Sequence, residues 1–284
     1  MISASCKAER LANDNPSSPS SPRPTIVNQG RLASMIRLLL LGGTAEATAL
    51  AHRLKEIDIS VTISLAGRVA HPARTPFPVR IGGFGGIDGL IHYVTTQKIT
   101  HVVDATHPFA AQMSRHAVEA CRTSEVPLMA LTRPPWSPTA DDQWECVSDF
   151  DGAAKLLEGH ARRVMLAIGR MHLIKFSEHQ QHYYLLRFVE PASAEPPFRQ
   201  YCVLVDRGPF AKEADITLLR EHRIDLIVAR NSGGVGAQSK VLAARDLKIP
   251  VIMIQRPRIC QRPQTHYLED VVHWLFSGST DLGV

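Results

Sequence analysis

The chain has 284 residues, 44% hydrophobic and 21% charged, with a formal net charge of +5. That is enough material for one large or two ordinary globular domains. The basic residues are dispersed and lack interleaved aromatics, which argues against a nucleic-acid surface. No run reaches the length of a membrane span and no signal-peptide pattern is present, so no membrane association and a cytoplasmic location are expected.

Residues 1–34 form a polar stretch that includes Ser17 to Ser21 and Pro24, and it is expected to be a disordered extension. It carries Lys7, Arg10, Arg23 and Arg31 against Glu9 and Asp14, so removing it lowers the surplus to +3. Met35 stands directly before the first apolar strand and is a candidate translation start. Cys121, Cys146, Cys202 and Cys260 are far apart and form no CxxC pair, which points to a reducing compartment and no metal site.

From Met35 onward, apolar runs alternate with amphipathic segments, the pattern of parallel strands and crossover helices. The first unit is a strand at Ile36 to Leu41, a helix at Ala45 to Lys55 and a strand at Ile59 to Leu65. A short strand at Pro78 to Ile81 precedes a helix at Gly86 to Gln97. A strand at Thr100 to Val103, a helix at Ala110 to Thr123 and a strand at Pro127 to Leu131 complete a doubly wound domain over 35–135. A proline-rich stretch around Trp136 then reads as a junction or an active-site loop, with Trp136 either stacking on a ring or anchoring the junction.

The remainder, 136–284, is expected to form a second lobe. Its strands fall at Arg163 to Ile168, Tyr183 to Val189, Tyr201 to Asp206, Ile224 to Ala229 and Val251 to Ile254. Its helices fall at Phe150 to Leu157, Phe210 to His222, Ala237 to Asp246 and Tyr267 to Phe276. The fold class is therefore α/β, with mainly parallel sheets in two lobes and a ligand-sized cleft between them.

Candidate site residues lie where strands end. Gly42-Gly43-Thr44 follows the first strand and opens a helix, so its glycines and free amides suit a pyrophosphate. Thr44 is read as a helix cap or a phosphate-binding hydroxyl. Arg68 stands near the end of the second strand, where arginine in place of an acid favours a 2′-phosphate and hence NADPH. After the fourth strand, Asp104 and Thr106 are candidates to bind a polar substrate edge. His107 is either a general acid titrating near neutrality or a neutral histidine held by a backbone bond.

At this point the sequence resembles the precorrin-6A reductases of cobalamin biosynthesis, including the cobalt-precorrin version. The resemblance is carried by Gly42-Gly43-Thr44 with Glu46-Ala47, Gly67-Arg68, Asp104 to Ala110, and Arg133 with Pro135-Trp136. It continues through Gly169-Arg170, Gly208-Pro209-Phe210, Asn231-Ser232-Gly233-Gly234 and Arg256-Pro257, spanning the chain from Met35 to the last strand. It implies two Rossmann-like lobes, NADPH held mainly by the first through Gly42, Gly43, Thr44 and Arg68, and a tetrapyrrole-derived macrocycle in the cleft. It also implies hydride delivery to carbon 19 of precorrin-6A to give precorrin-6B, without metal or flavin. Arg230 stands where the family usually has a lysine; the positive charge is kept, but arginine stays protonated and makes a poor proton donor.

In the second half, Arg230, Asn231, Ser232 and Gly233 join a strand to a helix and present amides and a guanidinium to an anion. Arg170 and Arg256 also follow strands and are candidates for a polycarboxylate substrate. Lys240 is read as an exposed lysine or as reaching the same anion. The sequence also leaves room for a reductase of another polyanionic metabolite or for a non-enzymatic nucleotide sensor. It carries no signal for a particular oligomeric state.

Overall fold

The computed structural model describes residues 35–67, 74–189, 194–206, 208 and 210–277. The expected extension and Arg68 lie outside the described residues. In chain order the elements are β1 (Arg37–Leu41), α1 (Ala45–Leu54), β2 (Ser60–Leu65), β3 (Val79–Ile81), α2 (Ile87–Thr96), β4 (His101–Asp104), α3 (Ala111–Thr123) and β5 (Leu128–Leu131). There follow β6 (Trp144–Val147), α4 (Phe150–Lys155), β7 (Arg163–Ala167), a 3₁₀ turn (Arg170–Phe176), β8 (Tyr183–Phe188), β9 (Gln200–Val205), α5 (Lys212–Glu221) and β10 (Leu226–Arg230). The chain closes with α6 (Ser239–Leu247), β11 (Val251–Ile254), β12 (Gln264–Thr265) and α7 (Leu268–Ser277).

Two six-stranded sheets result, ordered β12-β5-β4-β1-β2-β3 and β6-β11-β10-β7-β8-β9. Every strand pair in both is parallel. Counted from β3 or from β9, both follow the doubly wound order 3-2-1-4-5 plus a sixth strand. The sixth position is filled by exchange. After β5 the chain crosses to the second lobe and enters it at the edge as β6; after β11 it crosses back and completes the first sheet as β12.

This exchange corrects the expected domain boundary. The stretch Gln264–Thr265 pairs with β5, and α7 buries Val271, Val272 and Leu275 in the same cluster as Leu38, Leu50 and Leu54. Residues 264–277 therefore belong to the first lobe, although they follow the whole of the second. The physical reason is that the apolar face of α7 completes one side of the first sheet beside α1. Helices α2 and α3 cover the other side through Leu90, Val94, Ala117 and Ala120.

The central strands form as parallel strands do when both faces are covered. In β1, Leu38 to Leu41 are all at most 1% exposed, so an unbroken apolar run is the stable pattern there. In α1 the buried positions are Ala47, Leu50, Ala51 and Leu54, a single stripe at helical spacing. The second sheet is clad likewise, by α4 and the 3₁₀ turn on one side and by α5 and α6 on the other. Among the described residues, no helix is long and apolar enough to cross a membrane.

Candidate functional site

In each sheet the strand order reverses between the first and fourth strands, and in such folds ligands bind outside the carboxyl ends at that point. In the first lobe the two loops there are Gly42 to Thr44 and Ala105 to Ala110. The Gly42 amide continues the β1–β2 pairing by donating to Ser64 O at 2.9 Å. A Cβ at Gly42 would stand 3.3 Å from Ile63, whereas one at Gly43, where φ is +106°, would meet nothing within 4 Å. Space thus opens directly over the Gly43 backbone, in front of first-turn amides of α1 that have no intrahelical acceptor. Thr44 Oγ1 accepts from Ala47 N at 3.1 Å and donates to Ala105 O at 2.7 Å. The threonine is therefore the cap, and its hydroxyl proton fastens the two loops together.

Asp104 differs from the expectation of a substrate ligand. It is 2% exposed, and its oxygens accept from Thr106 N (3.1 Å), Thr106 Oγ1 (2.7 Å), Ser114 Oγ (2.6 Å) and Arg262 Nη1 (2.5 Å). Four bonds fill the acceptor capacity of a carboxylate. Asp104 and Thr106 instead shape the loop that projects His107, and Arg262 ties that loop to the returning crossover. His107 Nδ1 accepts the Phe109 amide at 3.1 Å, which leaves the proton of a neutral ring on Nε2.

The second lobe faces this site across the junction. Asn231, 2% exposed, accepts the Trp136 amide on Oδ1 at 2.8 Å and donates Nδ2 to Trp136 O at 2.9 Å. Trp136 Nε1 donates to Gly234 O at 2.8 Å. Between the two readings of Trp136, the tryptophan is the anchor of the crossover. Ser232 is buried in a tight turn, its amide donating to Arg230 O at 2.6 Å. Gly233 has φ +68°, and a Cβ there would lie 2.1 Å from Pro134 O.

Arg256 was expected to meet substrate carboxylates. It spends its donors on backbone instead: Nε to Asn231 O (3.0 Å), Nη1 to Arg133 O (2.8 Å) and Nη2 to Ser232 O (2.9 Å). Burial, with the Arg133 guanidinium nearby, brings it down to about 10. Arg133 forms the companion tie, donating Nε to Ser232 O at 2.8 Å and Nη1 to Glu46 at 3.1 Å. The pair is half-buried, and it gives the Glu46 carboxylate in the first turn of α1 a cation partner from the crossover.

What remains facing the cleft is basic and apolar. Arg230 lies with its guanidinium 5.4 Å from the Phe109 ring centre, so a second-lobe cation rests on a first-lobe ring. Arg170 is exposed, 5.0 Å from the Phe188 ring centre. Around the carboxyl ends of β7, β8 and β10, Met171 (65%), Val189 (51%) and Val235 (88%) are large apolar residues left in solvent. Phe109 and Ala111 of the first lobe, with Phe150, Ile254, Gln255 and Pro257 of the second, line an inter-lobe cavity of about 210 Å³. There Phe109 meets Phe150 edge-on at 6.3 Å, and Phe150 stacks on His172 at 3.8 Å.

The model of the family described as "Precorrin-6x reductase CbiJ/CobK" matches residues 37–276. The chain belongs to this family. A relative from Rhodobacter capsulatus named precorrin-6A reductase is 47% identical over 251 residues, covering 88% of this chain and all of that one. One of the same name from a Sinorhizobium species is 43% identical, covering 84% and 94%. A solved structure described as CobK precorrin-6A reductase superposes with a TM-score of 0.80 at 47% identity, covering 84% of this chain and 96% of the other.

Within this precorrin-6x reductase framework, the sequence expectations converge in part. Gly42, Gly43 and Thr44, the 104–107 loop, Arg230 to Gly233 and Arg256 all gather at the facing carboxyl ends of the sheets, with Arg170 on the rim. Two contacts have no counterpart in the sequence reading, and one residue has a different setting from both of its readings. The Arg262–Asp104 contact joins residues 158 positions apart, and Arg133–Glu46 joins residues 87 apart; neither separation leaves a local signal. Lys240, read as exposed in one of its two readings, is buried against Trp136. A signal for it exists in hindsight: it sits in the first turn of a helix whose buried positions include Val241, Ala243 and Ala244.

Proposed function

We propose that the protein is an oxidoreductase that reduces one carbon–carbon double bond of precorrin-6A with NADPH to give precorrin-6B. The first lobe binds the dinucleotide and the second lobe takes the macrocycle. The observation behind this reading is the pairing of two unlike switch points. One offers bare backbone and open space at Gly43. The other offers Arg170 and Arg230 with exposed Met171, Val189 and Val235. A pyrophosphate fits the former, because a positive-φ glycine admits close approach and the α1 terminus favours negative charge. A flat macrocycle edged with carboxylates fits the latter, since apolar side chains meet its face and guanidinium groups its rim.

Bound NADPH supplies a hydride to one ring carbon, and the neighbouring carbon takes a proton. The chain's own contribution is position and charge. Thr44, capping α1 and bonded to Ala105, keeps the dinucleotide loop and the His107 loop in fixed relation. Arg230 and Arg170 hold the substrate's anionic rim. His107, with Nε2 as its protonated nitrogen, is the candidate proton source. Arg68 is the candidate for the 2′-phosphate. As an NADPH-dependent biosynthetic enzyme, the protein belongs in the cytoplasm.

The test is anaerobic incubation with precorrin-6A and NADPH, following macrocycle mass and coenzyme oxidation together. A macrocycle heavier by two hydrogens, matched one-to-one by oxidised coenzyme, is the expected result. Intact macrocycle beside folded, NADPH-binding protein would overturn the substrate assignment.

A further inference from the structure

Lys240 lies in the first turn of α6 and is 9% exposed. Its ammonium donates to Ala237 O at 2.5 Å and stands 5.1 Å from the centre of the Trp136 ring. The indole it faces donates Nε1 to Gly234 O, and the Trp136 backbone holds the start of the loop through its amide and carbonyl, both bonded to the Asn231 side chain. Lys240 therefore holds the 231–237 segment directly at Ala237 and rests on the tryptophan residue that holds Asn231 and Gly234. A leucine or methionine would fill the same volume without the cost of burying an ammonium, several kcal/mol per ion before compensation.

We propose that Lys240 is a positioning residue for the macrocycle site: seated under Trp136 and bonded to the Ala237 carbonyl, it fixes the loop that follows Arg230 against the inter-lobe crossover. The inference rests on the function proposed above and adds a residue that does not itself touch the substrate.

The surroundings make the brace sensitive to charge. The charged groups facing it are Arg187 of β8, Asp215 of α5, Arg230 of β10 and Arg133 of the crossover. Arg187 and Asp215 are a buried ion pair, yet Asp215 Oδ2 and Arg187 Nε make no hydrogen bond among the described residues. Asp215 favours the charged lysine. Burial and the arginines oppose it and bring it down to about 7, burial contributing most. A polyanion arriving at Arg230 offsets that opposition, so substrate binding favours the protonated brace. Above neutrality the amine is neutral, its attraction to the indole is weaker, and the loop is less firmly held.

Two readouts on the full chain test this. Tryptophan emission of the ligand-free protein, titrated from about pH 6 to about pH 9, is expected to change with a midpoint near 7 that vanishes in Lys240→Met and moves to lower pH in Asp215→Asn. Steady-state kinetics of Lys240→Met are expected to show KM for precorrin-6A raised about tenfold. NADPH affinity should be unchanged, and the rise of KM with pH expected of the wild type should be lost. Wild-type KM and pH dependence in Lys240→Met, or an Asp215→Asn midpoint that does not move, would overturn the proposal. Wild-type protein that leaves precorrin-6A intact would sink the functional reading instead, and the ligand-free titration would still decide whether Lys240 acts as a titrating brace. Should Lys240→Met fail to fold, Asp215→Asn carries the same test.

Discussion

Replacing Arg256 by alanine separates a structural clamp from a substrate ligand. The guanidinium donates to the carbonyls of Asn231, Arg133 and Ser232 at 3.0, 2.8 and 2.9 Å. Ser232 O keeps a second donor in Arg133 Nε at 2.8 Å, so truncation leaves two carbonyls unserved. Hydrogen bonds to a charged group contribute about 1.5–3 kcal/mol each, and the retained Arg133 bond softens the third loss, so about 3–5 kcal/mol is expected in all. At about 2–4 °C per kcal/mol for a chain of this size, the melting temperature falls by roughly 10 °C. Arg256→Lys recovers little of this, because a single ammonium cannot span three carbonyls. Differential scanning calorimetry measures the shift, with KM for the macrocycle in parallel. Unchanged melting with a raised KM would refute the clamp and return Arg256 to the substrate rim.

Gly43→Ala forces a side chain onto φ +106° and into the open space above the turn; about 1–2 kcal/mol of strain and at least tenfold weaker NADPH binding are expected by fluorescence titration, with macrocycle binding kept. Gly233→Ala sets a Cβ 2.1 Å from Pro134 O, so the lobes must part, and limited proteolysis of the 132–143 crossover should quicken markedly relative to wild type. Arg170→Ala should raise KM for precorrin-6A several-fold while leaving melting within about 1 °C, since an exposed arginine contributes little to stability. Lys240, about 7 in the fold against an ordinary 10.5, keeps its proton in the unfolded chain across that window; its contribution to stability therefore rises with pH from about 7 to about 10 and is flat at its lowest value below about 7. Urea unfolding of Lys240→Met should show its gain over wild type largest near pH 6 and shrinking toward pH 9.

The elements that were legible are those whose own residues settle the matter. Leu38 to Leu41 can only be a strand covered on both faces, and Gly42-Gly43-Thr44 after it can only be a turn into a helix, because burial and φ freedom are local demands. The edge strand β6 was not legible. Trp144 to Val147 has two exposed positions and one turn-rich flank, so nothing in its pattern marks it as a strand until β11 lies beside it.

The sequence by itself determined that two doubly wound lobes would place Gly43, His107, Arg170 and Arg230 at strand ends, since strand, turn and helix starts are written within a few residues of each other. The tertiary structure alone decided which protein partners the polar residues there take. Asp104 is consumed by Arg262, Arg256 by three carbonyls, and Lys240 by Ala237 and Trp136. It also decided that α7 returns to the first lobe. Each of these outcomes depends on partners brought together from distant parts of the chain, and a buried polar group must take whatever partner the packing brings to it.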